Sequence, residues 1–211
     1  MGDTDFAAMR SAMVDSQLRT SDVNDPAVIA AMGSVAREDF VPNERRASAY
    51  IDRPVSLGNG RALNPPLATG RLLTEAQINP GDKVLLIGGA SGYCAAVLAE
   101  MGAQVTSVES DTSLGAKARA GVTTISGPLE KGAAKGVPYD VLIIDGAIEE
   151  IPAALAAQLA DDARICVGIV ENNVTRLCVG RKAGGVIGLA RRADIDMVVL
   201  PGFVRPKAFT F

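Results

Sequence analysis

Apolar residues recur at helical intervals in the N-terminal part of the chain and form short unbroken runs further on. Near the N-terminus, four of them predict a first helix: Phe6, Met9, Met13 and Leu18. Asp25–Pro26 predicts the start of a second helix, because proline is well accepted at the first helical position. The stretch 41–66 is rich in Pro, Gly, Asn and Arg and predicts a loop with short extended pieces. A third helix is expected from Pro66 to Ile78.

From Lys83 onward the pattern alternates between strands and helices. Lys83–Ile87 is an apolar run typical of a buried parallel strand, and a glycine loop over 88–92 leads into a helix over Tyr93–Met101. Further helices are predicted over Ser113–Ala120 and Pro152–Ala160. Four more strands are expected between these segments: Gln104–Val108, Val122–Ile125, Asp140–Ile144 and Ala163–Val170. This alternation indicates right-handed βαβ crossovers, and therefore an α/β fold with a doubly wound, mostly parallel sheet.

The C-terminal part of the chain shows a different pattern. Asn172–Asn173 and Ala183–Gly185 interrupt runs of Leu, Val and Ile, with no segment of helical length between them. Antiparallel strands added to one edge of the sheet are therefore expected, giving seven strands in total. We expect residues 1–78 to form a helical and loop region packed on the core, and residues 79–211 to form the sheet domain. A chain of 211 residues is consistent with one structural unit.

Composition excludes several kinds of chemistry. The chain has no histidine, which rules out serine–histidine and cysteine–histidine nucleophiles and zinc sites built on imidazole. Its three cysteines lie among apolar residues without the spacing of metal ligands, so no metal site is expected, and buried free thiols favour a cytoplasmic location. A net charge of −3 without a long basic run argues against nucleic acid as a partner. No apolar run reaches the roughly 20 residues of a membrane span.

The strongest chemical signal is the glycine loop that follows the first buried strand. Its small residues Gly88, Ala90 and Gly92 allow backbone N–H groups to approach a ligand closely. Glu109, at the end of the next strand, lies at the separation from Gly88 at which a carboxylate reaches the ribose hydroxyls of an adenosine cofactor. An ordinary strand-to-helix turn without a ligand is the alternative. The position of Glu109 favours the cofactor site.

The whole chain resembles the protein-L-isoaspartate O-methyltransferases, a family of class I S-adenosylmethionine-dependent methyltransferases. The matching segments are Met13–Arg19, Arg37–Pro42, Leu85–Leu98, Val108–Glu109, Pro138–Asp140 and Ile151–Leu159. The resemblance implies a class I methyltransferase sheet with an N-terminal helical region and an altered order of the C-terminal strands. It also implies S-adenosyl-L-methionine as the cofactor and a carboxylate of a protein or small molecule as the methyl acceptor. A carboxylate is already ionised at neutral pH, so the absence of histidine is compatible with this chemistry.

The resemblance also assigns site residues. Asn64 stands where the family has a serine near the acceptor, and it is the candidate catalytic residue. Leu86 and Pro128 stand where the family has acids near the methionine and adenine parts of the cofactor, so weakened cofactor binding is expected. Cofactor contacts are expected from nine positions: Gly88, Gly89, Ala90, Ser91, Gly92, Glu109, Ser110, Leu129 and Asp145.

Three functions remain open at this point. The first is a methyltransferase of the isoaspartate type, and the second is a methyltransferase for a small molecule that Asp145 or Asn64 orients. The third is a non-catalytic descendant that acts as a binding protein. Asp145 is expected either to face the ligand crevice after the fourth strand or to cap a turn before Gly146. The sequence leaves the acceptor and the oligomeric state open.

Overall fold

The structure, a computed structural model that describes residues 4–115 and 118–203, contains one large sheet and five α-helices in this part of the chain. The helices are α1 (Phe6–Met13), α2 (Pro26–Ser34), α3 (Pro66–Ala76), α4 (Tyr93–Glu100) and α5 (Ala153–Ala156). The strands are β1 (Val55–Gly58), β2 (Arg61–Leu63), β3 (Lys83–Ile87), β4 (Gln104–Glu109), β5 (Val122–Ser126), β6 (Tyr139–Ile148), β7 (Leu159–Glu171), β8 (Val174–Ala183) and β9 (Val186–Asp194).

The large sheet has seven strands in the order β5-β4-β3-β6-β7-β8-β9. The first five are parallel, and β8 and β9 are antiparallel additions that follow chain order. Asn172–Asn173 and Gly184–Gly185 have positive φ angles at both positions, as the tight turns of antiparallel hairpins require. The predicted seven-stranded, mostly parallel sheet with an antiparallel C-terminal part is therefore confirmed.

The sheet separates two apolar layers. On β3, Val84 and Leu86 pack into one layer, and Leu85 and Ile87 pack into the other. This alternation buries both faces of the strand, as expected for the centre of a parallel sheet. The first layer also contains side chains of the N-terminal helices, such as Met32, so these helices share a core with the sheet.

The N-terminal region follows the predicted pattern closely. The helix α2 begins at Pro26, as predicted, and the Asp25 carboxylate caps it by accepting hydrogen bonds from the backbone N–H groups of Ala27 and Val28. The stretch 41–66 contains a 3₁₀ segment and a two-stranded hairpin, β1 and β2, which are the short extended pieces expected there.

The predicted helix over Ser113–Ala120 is wrong. Among the described residues of this segment there is only a 3₁₀ turn, Thr112–Leu114, and residues 118–120 are not helical. Gly115 adopts a left-handed conformation with a φ of 59°, which ends the turn. Ala116 and Lys117 lie outside the described residues.

Two further boundaries differ from expectation. The helix predicted over Pro152–Ala160 is only the four residues of α5, because the chain already pairs with β6 at Leu159. The fourth parallel strand continues beyond its predicted end at Ile144, with an irregularity in pairing between Ile144 and Ala147. Asp145 therefore lies inside β6 at this irregularity, and not in a turn after it.

We predict that Gly168→Ala in β7 lowers the free energy of unfolding by about 1–3 kcal/mol, the usual cost of overpacking. A Cβ atom at Gly168 would lie 2.7 Å from the carbonyl oxygen of Gly146 and 2.9 Å from Cα of Ala147, and these backbone atoms cannot move aside freely. Denaturant unfolding measures the change. The control is Gly188→Ala in β9, where a Cβ meets no atom within 4 Å. Equal stability of the two variants would contradict the packing described here.

Candidate active site

The glycine loop leaves β3 and turns back towards the end of β4. Gly88 and Gly92 have φ angles of +76° and +98°, which glycine adopts without strain, and Ala90 also lies in the left-handed region at +50°. The N–H of Gly88 donates a 3.0 Å hydrogen bond to the carbonyl of Val108. The loop is thereby held at the carboxyl edge of the sheet, where ligands of open parallel sheets bind.

Glu109 lies at the end of β4 and binds the glycine loop directly. Its Oε2 accepts a 2.8 Å hydrogen bond from the N–H of Ala90. Its Oε1 accepts from the N–H of Ser110 at 2.8 Å, the hydroxyl of Ser110 at 3.2 Å and the N–H of Asp111 at 3.2 Å. The carboxylate is buried against the glycine loop.

Arg61, on β2, is the main site residue that the sequence analysis missed. Its Nη2 donates to Oε2 of Glu109 at 2.6 Å and its Nε donates to Oε1 at 3.3 Å. Nη2 also lies 3.4 Å from the carbonyl oxygen of Gly88. The two side chains of the ion pair are only 4% and 6% exposed. Alternate residues of a strand point to the same face, so Arg61 lies on the buried face of β2 together with Leu63. This alternation is the sequence feature that could have identified it.

The ion pair sets the protonation of Glu109. Burial by itself would raise the pKa of this carboxyl group. The hydrogen bond and the charge of Arg61, together with the N–H groups of Asp111 and Ala90, outweigh burial and hold the pKa below its ordinary value. Glu109 is therefore ionised at neutral pH.

Asn64 and Asp145 form a second buried group. Nδ2 of Asn64 donates a 2.8 Å hydrogen bond to Oδ1 of Asp145, and Oδ1 of Asn64 accepts one of 2.8 Å from the N–H of Val198. Burial raises the pKa of Asp145, although the hydrogen bond from Asn64 and the charges of Arg37 and Arg61 oppose this shift. The side chain of Asp145 is thus buried and bound to a residue from the hairpin side of the chain.

Arg37 is a fully buried cation beneath this group. Its Nε donates to the carbonyl of Ala49 at 2.7 Å, and its Nη2 donates to the carbonyl of Asn64 at 2.6 Å. Its guanidinium carbon lies 4.7 Å from the centre of the Tyr93 ring, which favours the cation. Burial raises the pKa of Tyr93 to about 12, so its hydroxyl is neutral. Tyr93, in edge contact with Phe40, is therefore a core residue under the site.

A segment near the C-terminus covers the glycine loop. Val198 and Leu200 exchange backbone hydrogen bonds of 2.8 and 2.9 Å with Ala147 in β6. The Leu200 side chain packs against Gly88 so closely that a Cβ at Gly88 would lie 2.7 Å from its Cδ1. The loop is consequently shielded from solvent on this side by an apolar side chain.

The remaining expected site residues have separate environments. The Ser91 hydroxyl donates to the carbonyl of Phe40. Gly89 packs against Ser107, because a Cβ there would lie 2.3 Å from the Ser107 hydroxyl. Leu129 is buried in the second apolar layer. Within residues 4–115 and 118–203, no group of three or more acidic or cysteine side chains could hold a metal ion, and no helix is long and apolar enough to cross a membrane.

The chain is similar to one family along most of its length. The model of protein-L-isoaspartate(D-aspartate) O-methyltransferases matches residues 8–202. The protein-L-isoaspartate O-methyltransferase of Koribacter versatilis is 34% identical over 207 residues, which cover 94% of this chain and 93% of the relative. That of Gloeobacter violaceus is 38% identical over 185 residues, covering 83% and 90%.

The fold is similar to that of a solved protein as well. A structure from Plasmodium falciparum, described as a protein-L-isoaspartate O-methyltransferase in complex with S-adenosyl-L-homocysteine, has a TM-score of 0.75. The alignment covers 90% of this chain and 97% of that one at 20% identity. At this identity the similarity concerns the fold.

We predict that Glu109→Gln lowers the free energy of unfolding at neutral pH by about 3–5 kcal/mol, because it leaves Arg61 buried without a countercharge. The folded pKa of Glu109 is depressed, so its carboxylate stabilises the fold above the unfolded value of about 4.5. This contribution is lost as the pH falls through the lower folded value. The stability difference between the wild type and the variant should therefore shrink below about pH 4.

Urea unfolding over a pH series measures this difference. The control is Glu100→Gln, which removes a half-exposed surface pair with Arg119 and should change stability little. A difference for Glu109→Gln that is small at neutral pH, or that does not shrink in acid, would show that the ion pair is not the main interaction of Glu109.

Proposed function

Because the chain belongs to the protein-L-isoaspartate O-methyltransferase family, we propose that it is an S-adenosylmethionine-dependent O-methyltransferase that acts on a carboxylate. The observation that carries the proposal is the 2.8 Å hydrogen bond from the N–H of Ala90 to Glu109. It sets the glycine loop and an ionised acid side by side at the carboxyl edge of the parallel sheet. This is the arrangement that adenosine-containing cofactors use in such sheets.

The residues present are of the kinds that this cofactor needs. The backbone N–H groups of the loop 88–92 would hold its methionine end, and Glu109 with Ser110 would hold its ribose. When bound, S-adenosylmethionine supplies an electrophilic methyl group. Leu86 is fully buried in the first core layer, so the loss of an acid at this position leaves no unpaired charge behind.

The acceptor side is formed by Asn64 and Asp145. An acceptor carboxylate is ionised at neutral pH and needs no general base, so the protein has only to orient it and exclude water. The amide of Asn64 can donate a hydrogen bond to such a carboxylate when it releases Asp145. Both side chains of this pair are buried, which favours a small-molecule carboxylate over a peptide.

A second candidate function is that of a non-catalytic binding protein. It is favoured by the closed hydrogen bonding of Asn64, whose amide donates to Asp145 and accepts from the N–H of Val198. An acceptor-side residue whose amide nitrogen and oxygen are both already bonded within the chain gains less from a substrate. The two functions differ in whether the protein binds the cofactor.

We predict measurable but loose binding of S-adenosylmethionine and S-adenosylhomocysteine in calorimetric titrations. Leu86 and Pro128 each replace an acid of the family, and two lost contacts of about 1.4 kcal/mol correspond to roughly hundredfold weaker binding than in a typical member. Protein purified without added cofactor should carry none. The absence of any heat with both ligands would rule out the methyltransferase and leave the binding protein. Tightly bound cofactor after purification would show that the two replacements do not matter.

We also predict that methyl transfer to an isoaspartyl peptide is weak or undetectable in the wild type. Asn64 is larger than the family's serine and is hydrogen-bonded to Asp145, and Pro65–Pro66 stiffens the segment that must admit a peptide. Asn64→Ser should raise the rate about tenfold by freeing space beside Asp145. The control is Asn79→Ser, in an exposed turn at the amino edge of the sheet, which should leave the rate unchanged. Robust methyl-ester formation by the wild type would refute this prediction.

A further inference from the structure

The Glu109 carboxylate is already saturated with hydrogen bonds. Among residues 4–115 and 118–203, six donor contacts reach its two oxygens, and Arg61 provides two of them, at 2.6 and 3.3 Å. The other four come from the backbone of Ala90, from Asp111 and from both donors of Ser110. A carboxylate offers about four lone-pair sites, so no capacity remains for the two hydroxyls of a ribose. Four contacts remain when Arg61 alone is removed, so both side-chain donors, the Arg61 guanidinium and the Ser110 hydroxyl, must turn away before ribose hydroxyls can bind.

Arg61 is the charged one of the donors that can leave. The N–H groups of Ala90, Ser110 and Asp111 belong to the backbone of the loop and of the end of β4. The Ser110 hydroxyl only has to rotate, whereas Arg61 has to leave a buried ion pair. It comes from residues 59–64, a segment that we call the strap, which runs from the β1–β2 turn to Asn64.

The strap crosses the carboxyl edge and is attached on both sides of Arg61. On one side, Nδ2 of Asn59 donates to Oδ2 of Asp111 at 3.2 Å and to the hydroxyl of Ser113 at 3.1 Å. On the other side, Asn64 donates to Asp145. The strap therefore holds the guanidinium of Arg61 against Glu109.

We propose that Arg61 is the specificity-determining residue of the cofactor site, because it occupies the hydrogen-bonding positions on Glu109 that the ribose of an adenosyl ligand takes. The inference rests on the proposed function in that the ligand is an adenosyl cofactor. Such a ligand binds by displacing Arg61 from Glu109, so its affinity is lowered by the strength of a buried ion pair. A ligand without a ribose gains nothing from this exchange and is excluded by it.

The apolar cover of the site plays a lesser part in this selection. Leu200 packs against Gly88, but it is a flexible side chain whose displacement breaks no ionic interaction. Arg61, in contrast, must leave a paired position that is almost fully buried. Its Nη1 has no hydrogen-bond partner within residues 4–115 and 118–203, so the pairing with Glu109 is its principal polar interaction besides the contact with Gly88.

The test is Arg61→Gln, which keeps a polar but shorter side chain and removes the charge and the two-point contact. Calorimetric titration with S-adenosylhomocysteine should give a Kd at least about tenfold lower than that of the wild type. The unliganded variant should also melt at a lower temperature than the unliganded wild type, because Glu109 loses its partner, and saturating ligand should raise its Tm by more. Opposite changes in unliganded stability and ligand affinity would not follow from a merely structural role.

The matched control is Arg164→Gln. Arg164 forms a partly buried ion pair with Asp82 at the opposite edge of the sheet. This variant should lose stability without any change in the Kd for S-adenosylhomocysteine. If Arg61→Gln does not fold, Arg61→Lys provides the same comparison, because a single ammonium cannot make the two-point contact and the Kd should still fall several-fold.

An unchanged or higher Kd in the Arg61 variants, or no binding by the wild type and the variants alike, would overturn the inference. Failure of the proposed function has a different signature. Tight ligand binding by Arg61→Gln without methyl transfer to any carboxylate would remove the enzymatic function and leave the role of Arg61 intact. Methyl transfer by the wild type, together with equal Kd values for the wild type and Arg61→Gln, would keep the enzymatic function and remove the role of Arg61.

Discussion

Arg61 reaches from the β1–β2 hairpin to the carboxyl edge of the sheet and pairs with Glu109 in a position almost closed to water. A buried charge is tolerated only when it is paired and hydrogen-bonded, so the positions of these two side chains are strongly coupled. If the hairpin shifted, the Glu109 carboxylate would become exposed to water or lose its partner Arg61. Because Glu109 also binds the N–H of Ala90, the same interaction holds the glycine loop in place.

Buried charge in the site is balanced overall. Two cations, Arg37 and Arg61, lie among two acids, Glu109 and Asp145, and all four side chains are buried. The two acids differ in their environments. Direct pairing with Arg61 lowers the pKa of Glu109, whereas burial raises that of Asp145. The ionised form of Glu109 therefore stabilises the fold, whereas ionising Asp145 costs free energy because its carboxylate is buried.

The sequence predicted the sheet well because its signals are local. Short apolar runs, the glycine loop and paired turn residues such as Asn172–Asn173 all lie within a few positions of the structure they specify. The family assignment was also confirmed by the comparisons. The helix over Ser113–Ala120 was wrong because helical spacing alone did not take into account the left-handed glycine at position 115.

The site was predicted only in part, for a related reason. Glu109 was identified from its offset to the loop, but its partner Arg61 lies 48 positions earlier in the chain. No rule of periodicity or spacing connects an arginine in a Gly-rich and Pro-rich segment to an acid so far along the sequence. The hydrogen bond between Asn64 and Asp145 spans 81 positions and could not be predicted from the sequence either. Such pairings follow from the topology of the sheet, which brings separate segments to one edge.

The contact between Asn64 and Val198 spans 134 positions, which is most of the chain. The ribosome synthesises Asn64 well before Val198. The amide oxygen of Asn64 can therefore accept this bond only after β8, β9 and Val198 have been made. Contacts of such large sequence separation are also the slowest to form, since the entropy of closing the intervening chain has to be overcome first. This contact therefore forms only after the segment that carries Val198 has been made, later than the strands of the parallel core.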